Sequence, residues 1–381
     1  MRRAGPALEA ALTQLAQRQL RRERTTVAAR AAEGRRVILA DRSELVDFSS
    51  NDYLGLARHP ALAAAMSACA ARAGTGSGAS HLITGHGTEH ERLEEELAAF
   101  CARERALLFS TGYMANLAVI AALAGRTEQV LLDRLCHASL IDGARLSGAT
   151  VRRYPHADAE AAAAALAAAG EATALLATDG LFSMDGDLAP PPPLAAAARA
   201  HGAWLVVDDA HGLGVLGESG RGTLGKAFGS FGAFVAGDAA LIEFLIQKAR
   251  TYIYTTALPE PVAAATRCAL RLAQAEGWRR ERVLALTARF RRHALAAGVP
   301  LAPDSPSPIQ PVVLGSAAAA LGAQRQLAAA GFWVVAIRPP TVPEGSARLR
   351  ITLSAAHTEA QIDALAGQLA HACARARSEP A

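Results

Sequence analysis

Short apolar runs alternate with longer stretches of helical periodicity through the first two thirds of the chain. Five of these runs have the length of buried strands. They lie at residues 106–109, 129–132, 151–154, 174–177 and 204–207. Strands that alternate with helices in this way form a mostly parallel sheet covered by helices. The pattern therefore predicts an α/β fold.

The N-terminal 45 residues predict a helix followed by a hairpin. Leucines recur at helical spacing from Leu8 to Leu20, with arginines between them. Transit peptides of organelles share this pattern, but two glutamates interrupt the positive face, so we expect an amphipathic helix that docks on the protein. The β-rich runs 36–39 and 45–48 flank a polar turn, as in a hairpin.

The pattern changes after Pro259, where long helical stretches precede β-rich runs at 309–314, 332–337 and 348–353. This arrangement predicts a smaller α+β domain. We therefore divide the chain into an N-terminal helix and hairpin segment (1–45), a large α/β domain (46–257) and a small C-terminal domain (258–381).

Composition excludes several classes of protein. No apolar run approaches the roughly 20 residues of a membrane span. The five cysteines are odd in number and form no Cys-x-x-Cys pair, which argues against disulfides and zinc knuckles and favours the reducing cytoplasm. The net charge is only +4, and acids are interspersed with arginines, so no nucleic-acid surface is indicated.

Lysine is almost absent from this chain. Of 39 basic residues, only Lys226 and Lys248 are lysines. An arginine stays protonated at working pH and cannot condense with an aldehyde, whereas a desolvated lysine can. Lys226 follows a glycine in Gly-Thr-Leu-Gly-Lys and is therefore a candidate for a Schiff base.

Several polar residues follow the predicted strands, where ligands bind in open α/β sheets. Segment 110–116 follows a strand and opens a helix, which suits a phosphate site or a plain helix cap. Asp208 and His211 follow the most apolar strand, and His137 stands at a loop-to-helix junction. Asp208 and His211 complete no set of three or four metal ligands, so we expect no metal.

Together these segments resemble the α-oxoamine synthases, which are pyridoxal 5'-phosphate (PLP) enzymes. The resemblance covers nearly the whole chain, from 48–56 to 355–357. Its most specific segments lie at 110–113, 137–143, 178–187, 208–211, 223–226 and 348–352. It implies PLP-dependent transferase fold type I, the aspartate-aminotransferase fold, with a seven-stranded-type, mostly parallel sheet in a large PLP-binding domain.

The resemblance also implies roles around the PLP ring. Lys226 would form the Schiff base and later remove the substrate Cα proton. Asp208 would pair with the protonated ring nitrogen, and His137 would stack on the ring. His211 would hydrogen-bond the phenolic oxygen, with Ser183 beside it.

Further roles concern the phosphate and the amino-acid substrate. The backbone of Gly112 and Tyr113 and the Thr223 hydroxyl would hold the phosphate. Thr256 would reach it from the second subunit of a homodimer. Arg350 would bind the substrate carboxylate in a bidentate fork.

Segments 137–148 and 336–343 are most similar to family members that condense L-alanine with a pimeloyl thioester in biotin biosynthesis. Asn51 and Arg22 would contact the substrate. Relatives that use glycine remain alternatives, and the sequence leaves open whether coenzyme A (CoA) or acyl carrier protein (ACP) carries the acyl group. A related aminotransferase or lyase that uses the same cofactor also remains open.

The spacing between His211 and Lys226 departs from the family, in which a longer stretch with a strand lies between them. We expect that a disordered segment has been left out of the numbering. The alternative is a true deletion, which would favour a catalytically degenerate paralogue that binds cofactor or carrier protein.

Overall fold

A computed structural model describes residues 4–31, 35–169, 172, 174–217, 226–302 and 305–378. Thr223 lies outside these ranges. The described residues form two compact units, of which the larger comprises Asn51–Ser183 and Asp187–Arg280. The remaining described residues form the smaller unit. The domain boundaries after residues 45 and 257 stay predictions.

The strands and helices follow in chain order. The strands are β1 (Val27–Arg30), β2 (Arg36–Leu39), β3 (Glu44–Asp47), β4 (Arg105–Phe109), β5 (Gln129–Asp133), β6 (Thr150–Tyr154), β7 (Ala174–Asp179), β8 (Trp204–Asp208), β9 (Ala233–Gly237), β10 (Ile309–Gly315), β11 (Phe332–Trp333), β12 (Val335–Ile337) and β13 (Ala347–Thr352). The helices are α1 (Ala4–Gln17), α2 (Pro60–Ala73), a π-helix (His81–Gly85), α3 (Thr88–Cys101), α4 (Gly112–Leu123), α5 (Ala138–Ser147), α6 (Ala159–Ala167), α7 (Pro191–Ala200), α8 (Ala239–Lys248), α9 (Arg250–Ile253), α10 (Glu260–Ala275), α11 (Trp278–Ala296), α12 (Ala317–Ala329) and α13 (Glu359–Ser378). None of these helices has both the length and the apolar character of a membrane span.

The larger unit confirms the α/β prediction. β6, β5, β7 and β8 form a parallel sheet in that order, and β4 pairs antiparallel with β9. All five predicted strands are present, whereas β9 was missed. Val130, Leu131 and Leu132 of β5 are fully buried because helices cover the sheet, as the continuous apolar run predicts.

The strands of the larger unit do not form one continuous sheet. Among the described strands, β8 pairs only with β7, and β9 pairs only with β4. β8 and β9 line a common cavity of about 290 Å³ together with side chains of α4. Trp204 of β8 is 41% exposed, and the rest of the strand is half-buried. Each of these strands therefore turns one edge of backbone N–H and C=O groups away from the described sheets.

Two expectations need correction here. The chain is continuous through its 381 residues, so the 15-position spacing between His211 and Lys226 belongs to the sequence, and no segment was left out. The seven-stranded-type sheet is also incomplete among the described residues, which show four strands and a separate pair. A strand between β8 and β9 would join the two sheets, and the short spacing leaves no apolar run to form one.

The smaller unit has two sheets. β1, β2, β3 and β11 form one, in which the predicted hairpin is the antiparallel pair β2 and β3. β10, β13 and β12 form the other. The run 332–337 was predicted as a single β-rich segment, but its two halves belong to different sheets, since β11 pairs with β3 and β12 pairs with β13.

Helix α1 forms as predicted but does not bury its leucines. Leu8, Leu12 and Leu15 are 65%, 50% and 40% exposed. The docking that we expected is therefore absent from the described chain, and α1 presents a stripe of apolar side chains.

A half-buried histidine joins the end of β5 to the loop after β7 in the larger unit. His156 Nδ1 lies 3.0 Å from Asp133 Oδ1, and its Nε2 lies 2.7 Å from Asp187 Oδ2. Its ring packs edge-on against Phe182, with 4.3 Å between the centroids. Burial acts to lower the pKa of His156, but the two carboxylates outweigh it and raise the pKa to about 10. The imidazolium thus anchors the end of β5 to the loop that follows β7.

We expect His156→Gln to lower the free energy of unfolding by about 1–3 kcal/mol at pH 6, because hydrogen bonds to charged groups are lost. The raised pKa means that this stabilisation is complete below pH 6.5 and disappears as the pH rises towards about 10. Urea denaturation of both proteins along this pH range measures the difference. His201→Gln, at the exposed end of α7, serves as control. A difference that does not shrink with pH contradicts the ion-pair assignment.

Candidate active site

Lys226 lies at the end of a chain of hydrogen bonds. Its Nζ contacts Nε2 of His211, whose Nδ1 lies 2.7 Å from the Tyr53 hydroxyl. That hydroxyl donates to Asn51 Oδ1 at 3.3 Å. Because Tyr53 donates to Asn51, it accepts from His211 Nδ1–H, which leaves the His211 Nε2 lone pair for the lysine. The chain therefore orients the Lys226 amine.

Asp208 ends β8 and is held from two sides. Asn116 of α4 donates from Nδ2 to Asp208 Oδ2 at 2.6 Å, and the backbone N–H of Ala210 donates to Oδ1 at 3.0 Å. The same Asn116 amide group donates to Ser139 Oγ at 2.8 Å. These contacts fix the plane of the carboxylate at the carboxyl end of the sheet.

His137 caps α5, and its ring is held by Ser139, with 2.7 Å between Nδ1 and Oγ. Its backbone N–H donates to Asp179 Oδ1 at 2.9 Å. Burial lowers the pKa of His137; the charge of Asp208 opposes the shift and that of Lys226 adds to it. His137, Asp208 and Lys226 therefore share one electrostatic neighbourhood.

Two more carboxyl groups surround Asp208. Burial, reinforced by the charge of Asp208, raises the pKa of Asp179 well above its usual value. The same two causes raise the pKa of Asp209 to about 7. This crowding of acids favours a positively charged group beside Asp208.

The start of α4 lies in the same unit. Thr111 caps the helix by accepting from the Met114 N–H at 3.2 Å, and Gly112 is its first residue. A Cβ placed on Gly112 would meet no atom within 4 Å, so there is space beside the helix N-terminus. Tyr113 contacts Asp142 through its hydroxyl and lies edge-on to His137, with 6.4 Å between centroids.

The structure brings together Lys226, Asp208, His137 and His211, and it connects Asn51 to them through Tyr53. Ser183 is half-buried in the loop after β7, and Thr256 is exposed after α9. Their contribution to the site stays a prediction.

Two predicted substrate residues belong to the smaller unit. Arg350 is buried on β13, and Arg22 donates to Thr341 Oγ1 at 3.0 Å. Their relation to Lys226 stays a prediction.

Sequence reasoning assigned no role to Asn116 or Tyr53. Asn116 carries the only side-chain amide in the otherwise apolar helix α4, and such an isolated polar group needs a partner when it is buried. That signal was available in the sequence. Tyr53 gave no comparable signal, since its partner His211 is 158 positions away.

The donor set matches what the expected cofactor requires. It offers an amine for an aldehyde, an anchored carboxylate for a ring nitrogen, an imidazole beside them and a helix N-terminus with free space for a phosphate.

Comparisons with known proteins agree with this set. The family model of aminotransferase class I and II matches residues 43–369. The 8-amino-7-oxononanoate synthase of Methylococcus capsulatus is 58% identical over 352 residues, which cover 88% of this chain and 91% of that protein. That of Thioalkalivibrio sulfidiphilus is 58% identical over 356 residues, with the same two coverages.

Solved structures are similar as well. Serine palmitoyltransferase of Sphingomonas wittichii is 28% identical and superposes with a TM-score of 0.91, covering 99% of this chain and 98% of that one. A structure of serine palmitoyltransferase (SPT) with PLP as an internal aldimine gives the same TM-score and identity over 98% of each chain. The 8-amino-7-oxononanoate synthase of Francisella tularensis is 32% identical with a TM-score of 0.74, over 86% of this chain and 97% of that one.

The first alignment runs over 352 positions, which is more than 88% of the 381 residues of this chain, so this chain lacks residues that the Methylococcus protein has. The chain belongs to the class I and II aminotransferase family and, within it, to the 8-amino-7-oxononanoate synthases, which are PLP-dependent acyltransferases.

Proposed function

We propose that this chain condenses L-alanine with a pimeloyl thioester to give 8-amino-7-oxononanoate, carbon dioxide and the free carrier thiol. The convergence of Lys226, His211, Asp208 and His137 supports this reaction. We further propose that it acts in the cytoplasm, which fits its odd number of cysteines and the lack of a Cys-x-x-Cys pair.

PLP, when bound, accepts the electron pair that is released at the alanine Cα. Asp208 would face the ring nitrogen with a carboxylate that Asn116 and Ala210 hold in one plane. A carboxylate fixed in this way keeps a nearby heterocycle nitrogen protonated without reorganising during the reaction. His137 would supply a flat surface beside the ring, and Ser183 would lie near the phenolic oxygen.

Lys226 would take the Cα proton at Nζ. The His211 Nε2 lone pair holds the amine by a hydrogen bond, and the contact with Tyr53 fixes the His211 ring. An amine oriented in this way presents its lone pair in one direction, which general-base catalysis requires. The start of α4, at Gly112 and Tyr113, together with Thr223, would hold the phosphate.

Substrate binding and assembly are part of the same proposal. Arg350 would pair with the alanine carboxylate, and Arg22 and Asn51 would contact the substrate. We propose a homodimer in which Thr256 of one subunit reaches the phosphate of the other. The exposed leucines of α1 support this, since a second subunit would cover such an apolar stripe.

The split sheet supports a second candidate, a cofactor-binding protein with little turnover. Lys226 follows His211 at a spacing of 15 positions, and the described sheet has no strand between β8 and β9 to hold the lysine in place. Activity and cofactor attachment therefore need separate measurements.

Reduction with borohydride tests the lysine assignment, because it converts a Schiff base into a stable secondary amine. We expect PLP-treated protein to carry a reduced pyridoxyl group on the peptide that contains Lys226. The label should vanish in Lys226→Arg and persist in Lys248→Arg, which removes the only other lysine. Peptide mass spectrometry reads both results. Labelling of Lys248 alone would overturn the assignment.

Carbon dioxide release tests the reaction. We expect turnover with L-alanine and pimeloyl-CoA or pimeloyl-ACP, at least about 10-fold faster than with glycine, since an additional methyl group contributes about 1–3 kcal/mol of discrimination. Labelling of Lys226 without turnover with either thioester would favour the cofactor-binding alternative. Glycine as the better substrate would place the chain with the glycine-using relatives.

Adding a strand-forming segment tests whether the split sheet limits the stability of the protein. We expect that a short apolar segment rich in valine and isoleucine, inserted after Gly222, raises the unfolding midpoint by at least about 5 °C, because each apolar side chain it buries contributes about 1.5–3 kcal/mol. A Gly/Ser segment of equal length is the control. Equal midpoints for both insertions would show that β8 and β9 accept no strand.

A further inference from the structure

Three histidines form a compact cluster in the larger unit, apart from the Lys226 contacts. His81 begins the π-helix, His86 follows its end, and His90 lies in the first turn of α3. Their centroids are 5.1, 5.1 and 5.4 Å apart, so the rings form a nearly equilateral triangle. One nitrogen from each ring lies within 4.8 Å of the others.

This triangle has the dimensions of a tetrahedral metal centre. A zinc ion about 2.0 Å from each of three ring nitrogens holds neighbouring imidazole centroids about 5 Å apart. The Nδ1 atoms of His81 and His86 are already 2.8 Å apart. Only small side-chain shifts separate the present positions from ligation.

Two of the three rings have a partner that suits ligation through Nδ1. His86 Nε2 lies 3.0 Å from Glu91 Oε2, and His90 Nε2 contacts the carbonyl oxygen of Leu258. Ligating histidines donate their second N–H to a carboxylate or a carbonyl in this way. The His81 ring stacks on Tyr252, with 4.8 Å between centroids, which fixes its orientation.

The hydrogen bonds also suit ligation through Nδ1. Burial, with its histidine neighbours, lowers the pKa of His81 to about 3, and burial lowers the pKa of His90. His81 donates from Nδ1 to His86 without metal, so binding moves that proton to Nε2 with no net proton release. His90 exchanges the Gly87 N–H, now 2.9 Å from its Nδ1, for the metal.

We propose that His81, His86 and His90 form a zinc site, with Glu91 as a positioning residue for His86. His81 and His90 are buried, whereas the His86 side chain is 24% exposed. The metal enters on the His86 side, where solvent supplies the fourth ligand. Imidazole ligands select zinc or cobalt over magnesium or calcium.

Metal binding to the untagged, PLP-loaded protein tests the site. We expect one Zn²⁺ per chain by isothermal titration calorimetry, and Co²⁺ in its place should show the visible bands of tetrahedral cobalt. His86→Gln should abolish this binding, whereas His201→Gln, outside the cluster, should retain it. Glu91→Gln, a change at a side chain that is 65% exposed, should weaken binding about 10–100-fold without affecting the fold.

Two results would overturn the proposal. One is equal zinc binding by wild type and His86→Gln, which would place the ion elsewhere. The other is no binding by wild type, in which case the cluster is a hydrogen-bonding network only. Borohydride labelling of Lys226 in each variant separates loss of the metal site from loss of the cofactor site.

Discussion

A strand inside a buried sheet has to pair its backbone on both edges, and this requirement governs the larger unit. The described strands β8 and β9 each meet it on one edge. Asp208 ends β8, and Lys226 lies in the segment between the two strands. The positions of the Asp208 carboxylate and the Lys226 amine therefore depend on strands whose backbone is paired on only one edge among the described residues.

Helix α4 provides a second support for the site. Its apolar side chains line the cavity that β8 and β9 share, and its Asn116 amide binds the Asp208 carboxylate. The same helix begins at Gly112, where the phosphate is proposed to bind. Helix α4 thus fixes the distance between the Asp208 carboxylate and the proposed phosphate site, and it does so without help from the open edge of β8.

The sequence predicted most of the larger unit because its strands are short apolar runs between helices. It missed β9, which contains two alanines and a glycine among its five residues and whose partner β4 is remote in the chain. The sequence also could not predict that the two halves of segment 332–337 belong to different sheets. The strands with which each half pairs determine this division, and composition does not.

For the site, the scarcity of lysine and the polar residues after strands led to Lys226, Asp208 and His211. Tyr53 and the histidine cluster could be recognised only from three-dimensional contacts. The partner of Tyr53 is distant in the sequence, and histidines near helix ends are commonly capping residues. The short spacing before Lys226 was visible in the sequence. The structure adds that no described strand lies between β8 and β9 to join the two sheets.

The open edges of β8 and β9 also concern the protein before it is fully folded. β8 reads Trp-Leu-Val-Val-Asp, with neither lysine nor proline to discourage pairing with another chain. Two newly made copies can satisfy these edges with each other instead of within one molecule. The yield of folded protein then depends on a competition between burial of the edge inside one chain and extension of the sheet between chains. A high concentration of newly made chains favours extension between chains.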